Sequence, residues 1–108
     1  MLRATPAPRN TPPARSAPVM VSGALQDLGV RLTLARKLRG LTQEQLGHLS
    51  DVSTSTVRAL EAGAEGVAIA NFLKVLQALG LLGQVGQLLD PRHDPETLAY
   101  AERQLRAP

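Results

Sequence analysis

Thr54, Ser55 and Arg58 stand in the stretch STSTVRALEAG, where two hydroxyls precede a guanidinium by about one helical turn. Residues three and four apart share a helix face. Such a face offers small donors and acceptors beside a rigid fork of N–H groups. Such groups can hydrogen-bond a partner, or they can be merely solvated. Catalysis finds no comparable support. His48 and His93 are isolated, and neither has an acid and a nucleophile at useful spacing. His48 is expected on the outer side of its helix, in solvent. There is no cysteine, so no disulfide framework, thiolate metal site or cysteine nucleophile. Phosphate-binding glycine loops, HExxH and paired-carboxylate motifs are missing as well. The expectation is a protein that is not an enzyme, with no catalytic residue, no metal and no cofactor.

The elements that must carry this face follow from composition. A chain of 108 residues is long enough for one domain. With one Phe, one Tyr and no Trp, its core must come from Leu, Val, Ile and Ala, which favours a helical bundle. Its apolar runs are far shorter than the roughly 20 residues that span a bilayer. No secretory h-region is present. A cytoplasmic protein with no membrane partner is expected. The net charge of +3 is misleading as a nucleic-acid signal. Arg3, Arg9 and Arg15 lie in the first nineteen residues with no acid among them, and the rest is formally neutral. Only Arg31, Arg36, Lys37 and Arg39 form a local basic cluster.

Three parts are expected. Residues 1–22 read as a disordered Pro/Ala/Arg-rich tail, with five prolines in the first nineteen positions. A transit peptide and an over-long gene start, with Met20 as the true one, are the other readings. The proline content argues against the amphipathic helix of a transit peptide. Residues 23–89 read as the domain. Leu28, Leu32 and Ala35 mark the core face of a first helix, stopped by Gly40. Thr42 and Gln45 form a capping box for a second helix whose buried face is Leu46 and Leu49. That helix ends at Ser50-Asp51, where Asp tolerates a left-handed turn. Ser53 caps a third helix that buries Val57 and Leu60 and stops at Gly63. Ile69, Phe72, Leu73, Leu76 and Leu79 give a fourth, and residues 81–89 a short fifth weakened by Gly83 and Gly86. Residues 90–108 read as an extension with its own helix, capped by Asp94 and striped by Leu98, Ala101 and Leu105.

Two short helices joined by a three-residue turn form a helix-turn-helix. The first crosses the phosphate backbone and the second fits the major groove. Gly47 allows the two to approach closely. From Leu28 to Leu79 the sequence resembles the Cro/phage-repressor helix-turn-helix family, also called the xenobiotic-response-element family. The residues that carry this are LGVRLTLARKLRGLTQEQL, the turn SDVS, and VRALEAG. The resemblance implies an all-α, lambda-repressor-like five-helix bundle. NFLKVLQALGLL followed by GQLLDP further resembles the HipB-type antitoxins, which pair with HipA-type kinase toxins. The chain departs from the pattern in two places. Asp51 takes the turn position usually held by Gly. Val67 and Ala68 replace the usual Pro and Ser/Thr cap of the fourth helix.

By the family's pattern, Gln43 should bond a phosphate. Thr54, Ser55 and Arg58 are the base-reading candidates, with Thr56 on phosphate. Ser53 stands at the start of the same helix. Ala59 occupies a position that often carries a long polar reader and can meet only a thymine methyl. Arg36, Lys37 and Arg39 are candidates for backbone contact. One feature exceeds the motif. Val30, Leu34 and Leu38 repeat every four residues beside the core face, where related proteins carry charge. An exposed stripe of this kind marks a partner surface, for a toxin or for the tail. Cover by the fifth or the C-terminal helix is the other reading. The functional expectation is an autorepressing antitoxin that binds a palindromic double-stranded DNA operator as a homodimer. Residues 72–89 and the C-terminal helix are the expected dimer surface. A protein-binding adaptor built on the same bundle is the alternative.

Overall fold

A computed structural model describes residues 17–106, which are helical with no strand. Their order is α1 (Val19–Leu38), α2 (Gln43–Ser50), α3 (Thr54–Glu61) and α4 (Ile69–Ala78). A 3-10 stretch (Leu82–Gln87), a 3-10 turn (Pro91–His93) and α5 (Pro95–Arg106) follow. Residues 1–16 of the expected tail lie outside the described residues. Residues 19–22 do not belong to a tail: they are the first turn of α1. Pro18 supplies no side-chain cap there. Glu65, from the loop after α3, ties down the residues around the helix start without capping its first-turn N–H groups. Its carboxylate accepts from the Ala17 N–H at 3.1 Å and the Ser22 hydroxyl at 3.2 Å.

The helix punctuation follows local chemistry. Thr42 Oγ1 accepts from the Gln45 N–H at 3.0 Å, and Gln45 Oε1 accepts from the Thr42 N–H at 2.9 Å, completing the capping box. Asp51 ends α2 in the left-handed region at φ 58°. Ser53 caps α3 by accepting from the Thr56 N–H at 3.1 Å. Ala68 precedes α4 with no side-chain cap, as its departure from the family pattern implies.

The core is Leu32, Leu46, Val57, Val75 and Leu79, with Leu41, Val52, Leu60 and Leu76 packed around it. Leu46, Val57 and Val75 are fully buried, each stabilising the fold by about 1.5–3 kcal/mol. Several expected core positions are corrected. Leu49 and Ile69 are exposed, and Leu28 is 43 % exposed. On α2 the buried line runs through Leu46, Gly47 and Ser50, which leaves Leu49 on the flank. Val75, rather than Ile69, carries the centre of α4. The fifth helix of the bundle is a 3-10 stretch, consistent with the cost of Gly83 and Gly86. Neither that stretch nor α5 covers Val30, Leu34 and Leu38, which are all exposed.

Candidate nucleic-acid interface

α2 and α3 are held close by glycine. A Cβ on Gly47 would stand 2.8 Å from the Val52 carbonyl oxygen, well inside contact distance. Gly29 does the same between α1 and α3, where a Cβ would collide with the Glu61 carbonyl and lie 2.9 Å from that of Leu60. These approaches fix the direction of α3 against two helices.

The outer face of α3 presents Ser55 and Arg58 to solvent, with Thr54 and Ala59 half-buried at its sides. Gln43, at the start of α2, joins them. Thr42, Gln43, Glu44, Thr54 and Arg58 line one shallow depression of about 390 Å³. The structure therefore brings together the phosphate candidate and two of the base-reading candidates, Thr54 and Arg58. Ser53 and Thr56 are committed locally. Their hydroxyls lie 2.8 Å apart, and Ser53 Oγ is also 3.1 Å from Ser55 Oγ. Ser53 thus acts as a helix cap, which qualifies its place among the DNA-contact candidates. Glu44 brings an unanticipated carboxylate to the same surface. It suits the positive end of α2 and weakens the local attraction for phosphate.

The expected basic cluster does not form one patch. Arg36 turns inward, and its place as a backbone contact is withdrawn. Its Nε donates to Glu61 Oε2 at 2.6 Å and its Nη2 to Glu61 Oε1 at 3.0 Å. Its Nη1 donates to the Leu41 carbonyl at 2.8 Å. The two side chains are 9 % and 6 % exposed. Arg39 bridges α1 to the end of α4, donating to the Leu79 carbonyl at 3.0 Å and the Ala35 carbonyl at 2.7 Å. Lys37 is exposed, with no ion pair among the described residues. Arg31 lies on the rim of a hollow between α1 and α4.

The buried pair organises the site. Glu61 Oε1 also accepts from Gln43 Nε2 at 3.0 Å, so one carboxylate ties α1, α2 and the end of α3 together. Burial pushes the Glu61 carboxyl up. Hydrogen bonds from Arg36 and Gln43, with the Arg36 charge, outweigh that and hold it below its ordinary value. A signal for the pair lay in the sequence. Arg36 follows Leu32 by four on α1, and Glu61 follows Val57 by four on α3, so each charge extends a core line.

Among the described residues, no group of three or more His, Asp or Glu side chains is placed to hold a metal ion. No described helix is long and apolar enough to cross a membrane. Residues 32–82 match the family model described as Helix-turn-helix. The match runs from the second half of α1 to the start of the 3-10 stretch and includes the whole candidate interface. It supports a DNA-binding transcription regulator. No curated protein matches the chain.

Proposed function

Starting from a helix-turn-helix domain with an open outer face on α3, we propose that this chain is a sequence-specific, DNA-binding transcription regulator. The carrying observation is the shared surface of Gln43, Thr54 and Arg58, set by Gly47 and by the Glu61 carboxylate. α3 enters the major groove. Arg58 makes a bidentate contact to guanine O6 and N7, while Thr54 and Ser55 read neighbouring edges. Ala59 meets a thymine methyl. Gln43 and Thr56 position the protein on phosphates, which fixes register without reading sequence. With one cation on the face and Glu44 beside it, shape and dimer spacing carry much of the specificity.

The proposed working form is a cytoplasmic homodimer on a palindromic operator, with half-sites about 34 Å apart. In this reading the chain is the antitoxin of a toxin–antitoxin pair and represses its own gene. Its resemblance to HipB-type antitoxins supports that role, and so does the exposed Val30/Leu34/Leu38 stripe. A HipA-type toxin is the proposed partner there. The formally neutral charge of residues 20–108 favours one rival, a protein-binding adaptor.

An electrophoretic shift on the DNA just upstream of the protein's own gene separates the two. Wild type and Arg58→Ala are compared at two salt concentrations. DNA binding predicts a shift that weakens with salt, because phosphate contacts release counterions. Arg58→Ala should lose about 1–3 kcal/mol of sequence discrimination. No shift at low salt, from a protein that is helical by circular dichroism, refutes the DNA reading in favour of the adaptor.

A further inference from the structure

Besides the Val30/Leu34/Leu38 stripe, two apolar surfaces lack partners among the described residues. The first is a groove between α1 and α4, made of adjoining hollows of about 300 and 250 Å³. The hollows share Leu28, Leu32 and Phe72, and exposed Ile69 and Leu88 line their outer parts. The second is the stripe on α5. Leu98 and Ala101 are partly shielded, whereas Leu105 is 87 % exposed. The packing of α5 is against the Pro91–His93 turn.

We propose that α5 of one protomer seats Leu98, Ala101 and Leu105 in the α1–α4 groove of a second copy, which returns the contact. A contact that each copy returns to the other makes a self-complementary, two-fold interface. The proposal rests on the reading that the chain works as a homodimer, and it supplies the surfaces.

Charge and tether favour this occupant. Arg31 on the groove rim forms no ion pair among the described residues. Glu102 flanks the α5 stripe and offers it one. The tether argues against α5 folding onto its own groove. Leu88 already lines the groove. Beyond it, the Asp90 carboxylate clamps the Arg92 guanidinium at 2.6 Å and the Arg92 N–H at 2.9 Å. Asp94 then accepts from the Thr97 hydroxyl at 2.6 Å. Only Leu89 separates the groove wall from this braced turn. Leu89 has φ 61° and is 96 % exposed, a strained backbone for a leucine whose side chain packs on nothing. As folded, this braced turn holds α5 against Pro91–His93 rather than over its own groove, which leaves the groove open to a second copy.

The chain has no native cysteine, so paired substitutions report cleanly. Full-length Leu28→Cys and Leu105→Cys are prepared separately, mixed, oxidised and separated without reductant. The expected product is a mixed disulfide joining one chain of each kind, in excess over either self-linked dimer. Leu98→Asp/Leu105→Asp, on an exposed helix, should keep its circular dichroism melt. It should weaken self-association about tenfold or more by sedimentation. A monomeric wild type overturns the proposal. So does a stable dimer without the mixed disulfide, or a disulfide that forms only within a Leu28→Cys/Leu105→Cys chain. An operator shift run alongside keeps the two readings apart. A cross-linked dimer that binds no DNA refutes the DNA reading alone, and a wild-type monomer that shifts DNA refutes the reciprocal contact alone.

Discussion

Replacing Glu61 with Gln removes one charge from the Arg36–Glu61 pair while keeping nearly the same shape. Both side chains are almost excluded from water, and the guanidinium grips the carboxylate through two bonds of 2.6 and 3.0 Å. Leaving Arg36 buried without its counter-charge costs about 3–5 kcal/mol when a partner is removed outright. Gln still offers one carbonyl acceptor, so about 3 kcal/mol is expected here. With a urea slope of about 1–3 kcal/mol/M, the midpoint should fall by about 1–3 M. Urea unfolding followed by circular dichroism at pH 7 reads this directly. A carboxyl depressed on folding stabilises above its unfolded pKa, about 4.3. That contribution is lost as pH falls from there through the lower folded value. Wild type should therefore lose stability below about pH 4.3, and Glu61→Gln should lack that component. Arg36→Met/Glu61→Leu should recover much of the loss, since apolar replacement of a buried pair is often neutral or better. A loss in Glu61→Gln under about 1 kcal/mol, with unchanged acid sensitivity, would refute the reasoning that the pair holds α3 in place.

Further outcomes follow from the same contacts. Gly29→Ala should destabilise by about 1–3 kcal/mol in thermal melts, because its methyl meets the Leu60 and Glu61 carbonyls. Thr42→Ala, which removes half of the capping box, should cost about 1 kcal/mol. Leu34→Glu, on an exposed position, should leave the urea midpoint nearly unchanged, within about 0.5 kcal/mol. If Leu34→Glu unfolds the protein instead, the stripe is core and not a partner surface.

The elements set by neighbours in the chain were legible without coordinates. The Thr42/Gln45 box, the left-handed Asp51, the Ser53 cap and the Gly40, Gly63 and Gly80 stops all appear where their chemistry requires. These signals act over three or four residues, so a sequence displays them in full. The same holds for the outward face of Ser55 and Arg58, which follows from where α3 starts and which side buries Val57.

What depended on distant residues was not legible. The start of α1 is tied to Glu65, more than forty positions away, through the Ala17 N–H and the Ser22 hydroxyl. Arg36 continues the Leu32 core line in the sequence, but nothing local names its partner, Glu61, which α3 brings to it across twenty-five residues. Gln43 is aimed by that same carboxylate. Periodicity gave α2 and α4 an apolar side, yet which leucines lie beneath a neighbour depends on helix crossing. Leu49 and Ile69 therefore face solvent while Val75 is sealed. The chain by itself determined where helices start, stop and turn, since those terms are local hydrogen bonds and backbone sterics. The tertiary structure alone decided which charges are buried and which apolar faces stay open, because burial belongs to pairs of elements rather than to either one.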